Sequence, residues 1–202
     1  MDFNNDRLNN VSDQLKFHLI DPRDSEAWEA YVFAEAAHGA INHKRKMTGE
    51  DYIVHPVEVA DIAAKNNLSF HQVCAGFLHD TIEDTHVTQE LIERCFTADV
   101  ARYTVGMTDP YRDPKVDGNN ATRSQKNAEH MWAQSKAVQD IKCCDMIANL
   151  RSLEDGEIDV SFIKYINENL EHKLSGMADA NYFLGEQVTA WLRYYKEKYE
   201  LS

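Results

Sequence analysis

Apolar residues recur at intervals of three and four along most of the chain, and no stretch sustains the alternation with turn signals that a strand needs. Asp24-Ser25 can cap a helix ending near residue 42, with Trp28, Tyr31, Val32 and Ala36 on one face. Residues 44–52 read as a loop around Gly49. Pro56 suits the first position of a helix over 57–66, whose Val59, Ile62 and Ala63 form a stripe. The pattern then predicts helices over 70–83, from a Thr88 cap to 96, and from 98 to just before Asp109-Pro110. Residues 109–120, with two prolines, Gly118 and an asparagine pair, read as a long loop. Helical pattern resumes over 122–134, 137–153, 160–175 and 181–199. The expectation is an all-α fold, one helical bundle over 25–202 behind an N-terminal extension over 1–24.

Composition narrows the function. The 202 residues are 43% hydrophobic and 27% charged, with 8 Gly and 4 Pro, so the chain is built to bury a core. Thirty-four acidic against 21 basic residues leave a formal charge of −13. That balance argues against duplex nucleic acid as a partner and against an anionic membrane surface, both of which reward a basic face. No window approaches the ~18 apolar residues of a spanning helix. The start, Met-Asp-Phe-Asn-Asn-Asp-Arg, lacks the basic and apolar runs of a secretory signal, so a cytoplasmic location is expected. Cys74 and Cys95 are isolated and Cys143-Cys144 adjacent, which gives no Cys-x-x-Cys spacing; reduced, buried thiols are expected.

Charge interrupts the apolar pattern in three places. On the helix over 137–153, Val138, Ile141, Asp145 and Ala148 fall within a ~60° sector, so Asp145 points with the apolar residues. A buried carboxylate needs a cationic partner, hydrogen bonds or a metal, and a salt bridge to a lysine or arginine meets that need as well as a metal does. The run Phe77-Leu78-His79-Asp80-Thr81-Ile82-Glu83-Asp84 closes an apolar helix with four ionisable residues. Adjacent residues diverge by ~100° in a helix, so His79 and Asp80 share an ion only if both reach inwards. Imidazole plus carboxylate suits a divalent Mn, Fe or Zn. His55 sits at a helix start, and His38, beside Ala36 and Ala37, is a candidate for lining the pocket or supporting a ligand.

His55, the His79-Asp80 doublet and the distant Asp145 follow the order found in the HD-superfamily metal-dependent phosphohydrolases. Gly49-Glu50-Asp51-Tyr52-Ile53-Val54-His55-Pro56, Leu78-His79-Asp80-Thr81-Ile82-Glu83-Asp84-Thr85 and 144–153 resemble three blocks of the hydrolase domain of RelA/SpoT homologues. The resemblance runs from about Ser25 to beyond Leu174 and leaves no room for a synthetase or regulatory extension. It implies an all-helical HD domain, a stand-alone small alarmone hydrolase. It also implies one Mn2+ held by His55, His79, Asp80 and Asp145, and removal of the 3′-pyrophosphate from ppGpp or pppGpp. Glu83 and Asp84 match the pair that positions and activates water, with the division of labour between them open. Asn149 matches a substrate-pocket position, and Arg151 follows it.

A small anionic nucleotide must approach a chain at −13, which a local basic cluster makes possible. His43-Lys44-Arg45-Lys46 is one such cluster, and Lys115, Lys142 and Arg123 are further candidates to meet phosphates. The family's Arg-Lys pair before the Gly-x-x-Tyr segment corresponds here to His43-Lys44 or to Lys46-Met47, depending on the end counted from, so only Arg45 could stack on a purine as arginine does. Tyr165 and Asn169 fall where related hydrolases offer further contacts. Two alternatives stay open: the same chemistry on an adenosine alarmone, the 2′-phosphate of NADPH or a nucleoside monophosphate, and a nucleotide sensor without catalysis.

Overall fold

The computed structural model describes residues 8–20, 25–46, 48–154 and 159–201. Among them there are helices, loops and one isolated antiparallel bridge between Lys44 and Asp51, with no strand, as the periodicity predicts. The caps expected at Asp24-Ser25 and the pairing of Lys46 with Met47 involve residues outside that description. The chain divides into two compact units, Met1–Thr108 and Asp109–Ser202, the boundary falling at the start of the loop expected over 109–120.

The first unit contains α1 (Asp13–Ile20), α2 (Ser25–Ala40), α3 (Val54–Lys65), α4 (Phe70–Leu78), α5 (Thr81–Asp84), α6 (Gln89–Cys95) and α7 (Ala98–Met107). Its hub is α4, which packs against α2, α3 and α7. Every residue from Gln72 to Leu78 is buried, the signature of a helix surrounded by others. A capping box starts it: the Ser69 hydroxyl accepts from the Gln72 N–H, and the Ser69 N–H donates to Gln72 Oε1 at 2.9 Å. Gly76 lets α3 come close, since a Cβ there would stand 3.3 Å from both Cα and N of Ala60. Within the segment expected as an extension, α1 packs on α2 and α3 with Leu15 and Leu19 buried, and the Ser12 N–H donates to Asp61 Oδ1 at 2.8 Å.

Two boundaries depart from the expected ones, and both shape the site. Helix α3 begins at Val54, so His55 and Pro56 lie inside its first turn, where a missing proline N–H costs nothing. Helix α4 stops at Leu78 instead of running to 83. The Thr81 hydroxyl donates to the Leu78 carbonyl at 2.7 Å, taking the acceptor that a continuing helix would use. Asp80 turns at φ −97°, ψ −2°, and α5 starts after it.

The second unit contains α8 (Asn120–Trp132), α9 (Lys136–Ser152), α10 (Val160–Ser175) and α11 (Tyr182–Lys198). Asn119 caps α8 by accepting from the Thr122 N–H at 2.9 Å, two residues ahead of the expected start. Helix α9 packs on α11 and is buried on nearly every face, from Val138 to Ser152. The Tyr195 hydroxyl donates to the Leu150 carbonyl at 2.8 Å. Asp140, also buried, accepts from the Asn181 N–H at 2.6 Å and fixes where α11 begins. Among the described residues no helix is long and apolar enough to cross a membrane.

A Cβ on Gly176 would fall 2.3 Å from the Trp132 indole, whose Nε1–H donates to the Lys173 carbonyl at 2.8 Å. Relieving that clash by turning the indole sacrifices the hydrogen bond. Gly176→Ala is therefore expected to cost about 1–3 kcal/mol, typical of overpacking. Denaturant unfolding checks it; a variant as stable as the wild type contradicts this packing.

Candidate metal centre

His79 and Asp80 follow α4 directly, in the turn that leads into α5, and both side chains reach one point. His79 Nε2 lies 2.9 Å from Asp80 Oδ2, and His55 Nε2, from the first turn of α3, lies 3.7 Å from the same oxygen. The two imidazoles meet edge to face with centroids 5.1 Å apart. His55 and His79 are almost fully buried, Asp80 partly so. One ligand atom from each of the three lies within 4.8 Å of the others.

His79 Nδ1 is 2.9 Å from the Gly76 carbonyl, which can only accept, so Nδ1 carries a proton. In the neutral ring Nε2 then presents a lone pair to the Asp80 carboxylate. Two electron pairs at that distance repel unless a second proton or a cation stands between them. The backbone carbonyl is the usual outer partner that orients a metal-binding histidine. Two imidazole nitrogens and a carboxylate suit a borderline divalent ion. Donors ~2.0–2.2 Å from one ion lie ~3–4 Å apart, close to the separations here. The donor set fits a divalent metal.

The 43–52 loop builds one wall. The Tyr52 hydroxyl donates to Asp80 Oδ2 at 2.6 Å. His43 lies flat on the Tyr52 ring, 3.7 Å between centroids and 8° between planes, and its Nδ1 is 3.1 Å from Nδ1 of buried His38. The loop is a tight hairpin: the Arg45 N–H donates to the Glu50 carbonyl, the Gly49 N–H to the Arg45 carbonyl, and Gly49 has φ +73°. Lys44 pairs with Asp51, and the Arg45 guanidinium sits 5.9 Å from the Tyr52 ring centroid. A cavity of about 140 Å³ is lined by Glu35, His38, Asn42, His43, Asp51 and Tyr52. Of the cluster expected to meet phosphates, His43 is thus engaged with aromatic rings and Lys44 with a carboxylate. Lys46 is exposed. Glu83 and Asp84 lie half-buried on α5, the turn that follows Asp80.

The remaining expected residues belong to the second unit. Asp145 is buried, as its sector on α9 predicts, and both its oxygens are engaged: Oδ2 by Lys142 Nζ at 2.7 Å, Oδ1 by Asn149 Nδ2 at 2.6 Å. The salt-bridge alternative weighed for Asp145 is therefore realised in this arrangement. Arg151 is half-buried near the end of α9, and Lys115 is exposed on the loop before α8. Arg123 donates to the Gly118 carbonyl and to Asn120, bracing that loop. Asn169 accepts from Ser124 and donates to the Tyr165 carbonyl, beside a hollow of about 420 Å³ that both residues line. Burial pushes the Cys143 thiol up to about 12, and raises Cys144 as well, so these are inert apolar groups. Cys95 departs from the expectation, being exposed on α6.

The chain's likeness to known proteins agrees with this geometry. The HD domain family model matches residues 30–160. The guanosine-3′,5′-bis(diphosphate) 3′-pyrophosphohydrolase MESH1 of Danio rerio is 36% identical over 127 residues, 62% of this chain and 67% of that protein. The enzyme of the same description from Vibrio cholerae is 32% identical over 153 residues, 72% of this chain and 20% of its own length. The chain spans a fifth or less of the longer relatives it matches. A solved metazoan orthologue of SpoT, described as hydrolysing ppGpp, superposes with a TM-score of 0.74 at 21% identity, over 84% of this chain and 95% of that one. At that identity the likeness shows a shared fold.

Burial pushes the His38 imidazole from 6.5 down to about 4, with Asp80 pulling it up and His43, His79 and His55 adding to the depression. Between those values the unfolded chain takes up a proton that the folded one refuses, so stability falls as the pH drops from 6.5 towards 4. In metal-free protein, His38→Gln should flatten the slope of unfolding free energy against pH in that window. Equal slopes in the two proteins would refute it.

Proposed function

This chain belongs to the HD domain family, and from that premise we propose that it is a divalent-metal-dependent hydrolase of guanosine alarmones, acting in the cytoplasm. It takes ppGpp or pppGpp to GDP or GTP plus pyrophosphate, the reaction named for its Danio rerio and Vibrio cholerae relatives. The observation that carries the reading is the approach of His79 Nε2 to Asp80 Oδ2 at 2.9 Å, with the other imidazole nitrogen bound to the Gly76 carbonyl. His55, His79 and Asp80 would hold the ion, which we take as manganese, and the resemblance adds Asp145 as a fourth ligand. When bound, such an ion lowers the pKa of water and neutralises phosphate oxygens.

The overall reaction breaks the bond between ribose O3′ and the first phosphorus of the 3′-diphosphate. The water oxygen leaves with pyrophosphate, and a proton ends on O3′. Glu83 and Asp84 are the carboxylates assigned to take the water proton and to orient the water, as positioned general bases do. His43, Lys44, Arg45, Lys46, Lys115, Lys142, Asn149 and Arg151 are assigned to the nucleotide. The cations among them provide a local positive field within a chain of net charge −13.

A second reading keeps the chemistry and changes the nucleotide. It is favoured by the 43–46 run, where the family's base-stacking arginine corresponds to His43 or to Lys46 depending on the end counted from, and where His43 lies against Tyr52. Mn2+-loaded protein incubated with ppGpp, adenosine alarmones, NADPH and nucleoside monophosphates separates the two: pyrophosphate from ppGpp supports the first, and orthophosphate or no turnover of ppGpp rejects it. Asp80→Ala should lose both metal and turnover while keeping its helix content. Glu83→Gln should keep the metal and lose about 10²–10⁴-fold in kcat. Loss of the ion from Glu83→Gln would make Glu83 a ligand.

A further inference from the structure

Asp80 Oδ2 faces two imidazoles and accepts a third contact, from a residue that offers no ligand atom to the cluster. The Tyr52 hydroxyl reaches it at 2.6 Å, the short range of hydrogen bonds to a charged acceptor. The ring behind that hydroxyl is held on three sides. His43 lies flat on it, His38 packs at 4.7 Å between centroids, and His55 meets it edge-on at 5.8 Å. The backbone holds it too, since the Tyr52 N–H donates to the His43 carbonyl at 3.1 Å and the His43 N–H to the His38 carbonyl at 3.0 Å.

Resting on the metal-centre reading above, we propose that Tyr52 is a positioning residue for Asp80. Its hydroxyl fixes the carboxylate with Oδ2 towards His55 and His79, and so ties metal affinity to the order of the 43–52 loop. An aspartate carboxylate turns about a broad, roughly two-fold terminal torsion and does not hold one orientation by itself. Donation from Tyr52 has two opposed effects. It withdraws some charge from Oδ2, which weakens the carboxylate as a ligand, and it removes the rotational freedom that binding would otherwise have to freeze. A neutral hydroxyl withdraws only a small part of a charge, so orientation dominates, as it does where outer partners of metal ligands contribute ~10–100-fold to affinity. The His43 ring acts one step further out, by keeping the tyrosine ring in place.

The test is Mn2+ affinity of the full chain by calorimetric titration, a readout independent of turnover. Wild type should bind one ion and Asp80→Ala none. Tyr52→Phe, which keeps the stacked ring and loses only the hydroxyl, should bind ~10–100-fold more weakly, while the metal-free variant still folds cooperatively with its helix content kept. His43→Ala should give a smaller loss and His43→Phe restore it, an arm that does not depend on altering Tyr52. Wild-type binding with Tyr52→Phe within twofold of it, or tighter, overturns this proposal alone. Failure of the wild type to bind overturns the metal-centre reading and the proposal with it.

Discussion

In its neutral form a histidine whose Nδ1 proton is committed to a carbonyl has only a lone pair at Nε2, and here that nitrogen meets a carboxylate oxygen at 2.9 Å. Positive charge must occupy the space between them. A bound cation turns the repulsion into two favourable contacts, and the buried His55 is placed to share it. Because only the folded chain assembles this arrangement, an ion bound there would also stabilise the fold, by an amount that grows with the logarithm of its concentration over its dissociation constant.

The doublet sits where one helix gives way to the next. The Thr81 hydroxyl takes the Leu78 carbonyl where α4 ends, and His79 and Asp80 follow in the turn before α5. Gly76 contributes twice. Its missing side chain admits α3, and with it His55, while its carbonyl orients His79. The 43–52 hairpin adds Tyr52 from the other side, so that Asp80 is reached from the loop, from α3 and from the end of α4.

Much of this was legible in the residues. Three- and four-residue spacing gave the helices, the Thr88 cap stands where the pattern puts it, and Asn181, expected as the first residue of the last helix, caps it instead. The three motifs pointed to His55, His79 and Asp80, and the fold brings one nitrogen or oxygen of each within 4.8 Å of the others. The break after Leu78 escaped because His79 keeps helical dihedrals and the competition for one carbonyl is too local for periodicity to register. Asp145 points inwards as its sector requires, but α9 is buried around nearly its whole circumference, so that sector did not distinguish it from Asp140. Its partner Lys142, one turn earlier, stands at a spacing that sequence offers without saying which pairs form. Tyr52 was visible in the motif. Its contact crosses 28 positions and appears only when the hairpin and the α4 terminus are both built.

The central claim is that a divalent cation occupies the space between His79 and Asp80. Crystals soaked in Mn2+ and measured at its absorption edge address it directly. The account predicts one anomalous peak about 2.0–2.3 Å from His79 Nε2, Asp80 Oδ2 and His55 Nε2. A structure at saturating Mn2+ with no peak there, and a protonated His79 hydrogen-bonded to Asp80 in its place, would contradict it.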